Sequence, residues 1–179
     1  MKTIYFVRHG ESEANNLGLS AGSEFDTPLT DIGRKQAQKT GQDLKDKNIQ
    51  LIVSSSQGRA IETAEIIARE IGYNPKEIVR NELFVERGMG IYSRGPDEKY
   101  LKAAASGEPL HESVESVDDM HKRVTQGLKW LEGFKEQTIL IVSHGGVSRI
   151  LRLIHQDLPH AHMYKLGRLE NAEIYEFTL

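Results

Sequence analysis

The stretch IYFVRHGESEANN, residues 4–16, sets an apolar run of Ile4, Tyr5, Phe6 and Val7 directly before an arginine, a histidine and a glycine. An unbroken run of this kind reads as a short strand buried on both faces, as in a parallel sheet. Arg8 and His9 then fall just past its carboxyl end, where open α/β sheets bind their ligands. A histidine touched by a fixed positive charge and followed by flexible Gly10 points to phosphate chemistry. Asn15 lies close behind, at the start of a polar stretch over 15–28 that reads as a loop at the edge of the site.

The same arrangement recurs twice. SSSQGRAIETA (54–64) follows the apolar residues Leu51, Ile52 and Val53, and VSHGGVSRIL (142–151) ends an apolar strand over Thr138–Val142. Arg59 falls in the first turn of the helix after the second strand, so its planar fork can reach the crevice that Arg8 faces. Two arginines can make charge-assisted bonds to one phosphoryl group. His144, Gly145 and Gly146 open a helix whose amino end favours an anion and whose glycines admit a ligand close to the backbone. Taken singly, each motif has an ordinary reading: a polar loop histidine, a solvated helix arginine, a glycine turn. Their concurrence changes that, because a parallel sheet brings such strand ends together.

Strands alternate with helices along the rest of the chain. Thr30 caps an expected helix over 31–47, weakened by Gly33 and Gly41, and a helical apolar stripe covers 57–71 before Gly72. A further strand is expected at 78–80, a short helix at 97–105, a strong amphipathic helix from Ser116 to 134, another at 146–155, and a last strand over 172–179. Residues 86–114, rich in glycine and proline, read as an irregular lid or specificity wall. No repeat or long linker divides the chain, so one domain over 1–179 is expected.

Composition narrows the class without naming it. The chain of 179 residues carries a net charge of -3, which argues against a broad nucleic-acid surface but leaves room for a local basic pocket. It has no cysteine, which excludes disulfides, thiolate metal sites and cysteine nucleophiles. The first apolar run is too short for a signal-peptide core or a membrane span, so a cytoplasmic protein is expected. His155, His160 and His162 lack flanking acidic ligands and read as a polar loop, so no metal site and no cofactor is expected.

At this level of detail the chain resembles the histidine phosphatase superfamily, the phosphoglycerate-mutase-like proteins. Arg8-His9-Gly10-Glu11 matches the family signature, and the resemblance continues through PLTDIGRKQA (28–37), SSSQGRAIETA, ELFVERGMG (82–90), ESVDDMHKRV (115–124) and VSHGGVSRIL. These blocks stand in family order over nearly the whole chain. The resemblance implies a three-layer α/β/α sandwich around a mostly parallel central sheet. It implies that His9 is the nucleophile, that Arg8, Arg59 and His144 hold the phosphate, and that Glu86 is the proton donor. Asn15 matches a polar lining residue, and Gly145 belongs to the same phosphate pocket. Such chemistry is physically coherent: a neutral imidazole nitrogen can attack phosphorus once the other nitrogen's hydrogen bond selects the tautomer.

The favoured reading is a phosphomonoesterase releasing phosphate from a small phosphorylated metabolite through a phosphohistidine. The compact chain and the block ESVDDMHKRV are similar to the phosphatase branch, which includes enzymes of ribazole phosphate. Departures lie in the specificity wall: Val114 stands where that branch has glycine, and Tyr92-Ser93-Arg94-Gly95 replaces its Trp-Glu-Gly. A cofactor-dependent phosphoglycerate mutase is the second reading, with Arg94, Lys99 and Lys102 as possible carboxylate binders. A phosphohistidine protein phosphatase is a further enzyme variant. A non-catalytic phospho-ligand module fits worst, since every matched polar residue is in place.

Overall fold

The computed structural model describes residues 1–179. One sheet is formed by β1 (Thr3–Arg8), β2 (Leu51–Ser54), β3 (Val79–Arg80), β4 (Thr138–Ser143) and β5 (Ile174–Thr178), in the order β3-β2-β4-β1-β5. β3, β2, β4 and β1 pair in parallel, and β5 runs antiparallel along β1. The helices are α1 (Glu13–Asn16), α2 (Asp31–Leu44), α3 (Gly58–Ile71), α4 (Asp97–Ala105), α5 (Val117–Glu132) and α6 (Gly145–His155). The architecture is the mostly parallel α/β sandwich expected from the sequence.

Successive side chains of a strand point to opposite faces, and here both faces are buried. Ile4, Phe6, Leu51, Val53, Ile139 and Ile141 pack with α5 and α6, joining Met120, Val124, Leu128, Val147 and Ile150. Tyr5, Val7, Ile52, Leu140 and Val142 pack on the other face against Leu44 of α2 and Ala60, Ala64, Ile67 and Ala68 of α3. Each large aliphatic side chain so removed from water stabilises the fold by about 1.5–3 kcal/mol. That is why the strands read as continuous apolar runs instead of alternating ones. β5 is the exception: it is an edge strand with exposed Glu176 and Thr178, and only Phe177 is buried.

Caps set most of the helix boundaries. Thr30 Oγ1 accepts the Gly33 amide at 3.0 Å, and Ser116 Oγ accepts that of Asp119 at 3.0 Å. α2 stops at Leu44, short of the expected 47, because the Lys45 amide turns back to Gln42 and closes a tight last turn. α5 likewise ends at Glu132 before Gly133. Asn15 and Asn16, expected in a loop, close the one-turn α1, in which Ser12 and Asn15 form a reciprocal capping box. Residues 86–114 hold only a 3-10 turn at Gly90–Tyr92 and α4. They are held by carboxylates: Glu24 accepts the amides of Met89 at 3.1 Å and Gly90 at 2.9 Å, and Glu115 accepts that of Gly88 at 3.1 Å. No helix is long and apolar enough to cross a membrane.

The glycines that weaken α2 as a sequence are contact points. A Cβ on Gly33 would lie 2.0 Å from the Glu11 carbonyl oxygen, and one on Gly41 would lie 2.6 Å from Glu70 Cβ. The helix therefore presses directly on the loop that follows His9. Alanine is about 1 kcal/mol better than glycine inside an exposed helix, so propensity alone would make Gly33→Ala stabilising. Overpacking against backbone reverses the sign, and we expect Gly33→Ala to lower stability by about 1–3 kcal/mol. Urea unfolding checks this; an unchanged or raised midpoint would contradict the contact.

Candidate active site

β1, β2 and β4 are parallel neighbours, with Arg8 opposite Ser143 and Ser54 opposite Val142. Their carboxyl ends therefore lie side by side, and the residues that follow them meet at a cavity of about 460 Å³. Arg8, His9, Asn15, Arg59, Glu86 and Gly145 all line it. His144 sits behind His9, fully buried, with ring centroids 5.2 Å apart and edge to face. The structure thus brings together the seven residues that the resemblance assigned to the phosphate site: Arg8, His9, Asn15, Arg59, Glu86, His144 and Gly145.

His9 Nδ1 lies 2.7 Å from the Gly10 carbonyl oxygen. A carbonyl only accepts, so Nδ1 carries the proton and Nε2 keeps its lone pair. Arg59 Nε donates to that lone pair at 3.2 Å. Burial, and then the charges of Arg59 and Arg8, hold the imidazole pKa well below its usual value. His9 is therefore neutral, with its proton on Nδ1 and its one ring lone pair on Nε2.

The cations are anchored from behind. Arg8 Nη1 donates to the Leu169 carbonyl at 2.7 Å, while Arg8 Nε is buried with no partner. Burial first, then Arg168, brings the Arg8 pKa down to about 10. Arg59 is more heavily committed than its sequence position suggests. It also donates to the carbonyls of Gly22 and Phe25 at 3.0 and 3.2 Å and pairs with Asp26 at 2.7 Å. Asp26 in turn accepts the Gly58 amide at the start of α3, so one carboxylate orients both helix and guanidinium. His144 Nε2 meets Ser55 Oγ at 2.8 Å, and its Nδ1 is buried without a partner. Burial, then Arg59, His9 and Arg8, keep this ring neutral as well.

Glu86 accepts the Gly146 amide on both carboxylate oxygens at 3.1 Å and the Arg87 amide at 2.9 Å. A Cβ at Gly146 would stand 2.3 Å from Glu86 Oε1. The sequence suggested that this glycine admits a ligand; in the structure it admits the carboxylate. Ser55 and Asn171 support the site through hydrogen bonds, and sequence reasoning gave neither a role. Asn171 Nδ2 donates to the His9 carbonyl at 2.9 Å and to Asn15 Oδ1 at 3.2 Å. The Ser12 amide also donates to Asn15 Oδ1 at 3.2 Å, so that oxygen is occupied by two donors within the protein. No motif signals Asn171, which stands 162 residues from His9 in sequence.

Other candidates point elsewhere. Arg94 stacks on Phe25 at 4.8 Å, Lys102 pairs with Glu98 at 2.7 Å, and neither these nor Lys99 line the cavity. His155 meets Tyr175 and His160 meets Asp118, so the C-terminal histidines do not converge on one point.

The family model of the histidine phosphatase superfamily (branch 1) matches residues 4–179. The chain belongs to that superfamily. It is 33% identical over 184 aligned residues to a probable phosphoglycerate mutase, GpmB, of Photorhabdus laumondii, covering 97% of this chain and 83% of the relative. It is 29% identical to the putative phosphoserine phosphatase 2 of Hydrogenobacter thermophilus, covering 100% of this chain and 90% of the relative. Among solved structures it is similar to a phosphoserine phosphatase mutant from Entamoeba histolytica in complex with phosphoserine. That likeness has a TM-score of 0.82 at 28% identity, over 99% of this chain and 90% of the other.

Neutral burial of two histidines makes stability depend on pH. Above the ordinary histidine value of 6.5, folded and unfolded chains both hold His9 and His144 neutral. Below it the unfolded chain takes up protons that the folded one refuses, so stability falls as pH drops, by at most about 1.4 kcal/mol per pH unit for each ring. Urea midpoints between about pH 7.5 and 5.5 should decline more steeply for the parent than for His9→Gln/His144→Gln. Equal slopes would count against neutral burial.

Proposed function

We propose that this protein is a phosphomonoesterase acting on a small phosphorylated metabolite through a phosphohistidine on His9. One observation carries the reading: His9, its proton on Nδ1 and its Nε2 lone pair held by Arg59, lines one cavity with Arg8, whose Nε is buried without a partner. Buried polar atoms without partners are costly, and a tetrahedral anion held against Nε2 would satisfy Arg8 Nε. Family membership supports the same reading.

The chemistry follows from the positions. His9 Nε2 attacks phosphorus, the bond to the ester oxygen breaks, and Nδ1–H remains donated to Gly10, stabilising the charge that the ring acquires. Charge on the equatorial oxygens is met by Arg8, Arg59 and His144, with Arg59 Nε free to exchange the His9 lone pair for an oxygen once Nε2 is bonded. Glu86, carrying a proton, gives it to the departing alkoxide. As a carboxylate it then takes one from the water that cleaves the phosphorus–nitrogen bond, releasing inorganic phosphate.

A mutase that returns the phosphoryl group to its substrate is the second reading, favoured by the likeness to a probable phosphoglycerate mutase. Incubation with 3-phosphoglycerate and a trace of the bisphosphate separates the two. We expect phosphate release to exceed formation of 2-phosphoglycerate, and the reverse would overturn the hydrolase reading.

His9→Ala should abolish release of nitrophenol from 4-nitrophenyl phosphate with the fold intact by circular dichroism. Parent-level activity in that variant would refute the nucleophile. Glu86→Gln should slow alkyl phosphates by about 100-fold and the aryl ester much less, since only the alkoxide needs a proton. Equal losses on both would argue against the acid role.

A further inference from the structure

The cavity extends beyond the residues that a phosphoryl group would occupy. Its far wall is made by Arg149 of α6, Arg168 and Tyr100, with Asp97 at the start of α4. Arg149 is only 8% exposed, yet its one hydrogen bond runs from Nε to the Leu166 carbonyl at 2.9 Å. No carboxylate forms an ion pair with it, and its two terminal nitrogens donate to nothing in the protein. Arg168 reaches the same wall from the segment before β5, where Asp97 holds it at 2.6 Å. Asp97 is fixed in turn by Ser20 Oγ at 2.9 Å, so Arg168 is placed by a two-sided clamp. The Arg168 side chain and Arg8 Nε both lie over Gly145, 3.1 and 3.4 Å from where a Cβ would stand. The second cation group is thus contiguous with the phosphate-holding end.

An almost buried guanidinium with unused donors is unfavourable unless something anionic meets it. Burial, and then repulsion from Arg168, lowers the Arg149 pKa, against a smaller pull from Tyr100 and Glu86. The neighbouring carboxylates make their direct contacts elsewhere. Glu86 is taken up by the amides of Gly146 and Arg87, and Asp97 by Arg168 and Ser20. Tyr100 is engaged by another cation, accepting from Arg87 Nη1 at 2.9 Å. Apolar lining is sparse: of the residues around the cavity, 5 of 22 are hydrophobic. The wall suits neither a flat aromatic nor a neutral leaving group.

We propose that Arg149 and Arg168 form a second anion subsite, so that the preferred substrate is a compact phosphate ester bearing another anionic group a few bonds away. The inference rests on the phosphomonoesterase reading for turnover, but the subsite can be read by binding alone. The second group is a carboxylate or a second phosphoryl group; both match the planar donor fork of arginine.

Matched ligand pairs test it. O-phosphoserine and O-phosphoethanolamine differ only in a carboxylate, as glycerate 3-phosphate and glycerol 3-phosphate differ in carboxylate against hydroxymethyl. Propane-1,3-diol bisphosphate against 3-hydroxypropyl phosphate tests a second phosphoryl group. We expect the parent enzyme to prefer the more anionic member of at least one pair by about tenfold or more in kcat/KM. Calorimetric Kd values in the His9→Ala background should show the same preference without turnover. Arg149→Met and Arg168→Met should each shrink the ratio within the pair. Arg168 is 35% exposed, so its variant keeps the test open should Arg149→Met unfold. Equal handling of both members in all pairs would overturn the proposal, as would a ratio that survives in Arg168→Met or no binding of any anionic member. Absence of turnover with every ester and with 4-nitrophenyl phosphate would refute the phosphatase reading alone, and the binding ratios would still decide the subsite.

Discussion

The parallel pairing of β1 with β4 is the constraint on which the site depends. Its register sets Arg8 beside Ser143, so the next residue of each strand is a histidine and the two rings stand edge to face at 5.2 Å. β2 on the far side of β4 adds Ser55 beneath His144 and starts the helix that carries Arg59. A slip of one residue would send every strand side chain to the other face and separate the rings. The two buried faces of the sheet, each packed by its own helix pair, make such a slip very costly.

That scaffold holds cations where water does not help them. The chain carries a net charge of -3, yet five arginines line one cavity. Their burial is offset by backbone carbonyls of remote segments: Leu169 for Arg8, Gly22 and Phe25 for Arg59, Leu166 for Arg149. Donors fixed this way need not reorganise when charge develops on a substrate. The same arrangement leaves Arg8 Nε and His144 Nδ1 without partners, which costs the fold part of its stability. The C-terminal segment closes the arrangement: the Ala172 amide donates to the Arg8 carbonyl at 2.9 Å, and Asn171 holds that of His9.

Much of this was legible in the chain. Apolar runs ending in polar motifs marked β1, β2 and β4, because strands buried on both faces leave no alternation to misread. Thr30 and Ser116 marked helix starts through the donors they satisfy. Less legible were the ends of α2 and α5, which turn on single amides, and the start of β5, delayed to Ile174 because Ala172 is drawn to Arg8 at positive φ. Gly33 read as a weakness in a helix and proved to be a point of backbone contact with Glu11.

By itself the sequence determined the strands, their polar ends, and the kinds of side chain gathered there, since these depend on local order and periodicity. Only the tertiary structure decided which nitrogen of His9 keeps its lone pair, which carbonyls hold the arginines, and that Ser55, Asn171, Arg149 and Arg168 belong to the same cavity wall or its support. The physical reason is distance along the chain. Hydrogen bonds such as those from Asn171 to His9 and from Arg8 to Leu169 join residues 162 and 161 positions apart, and no local pattern records a partner that folding alone brings near.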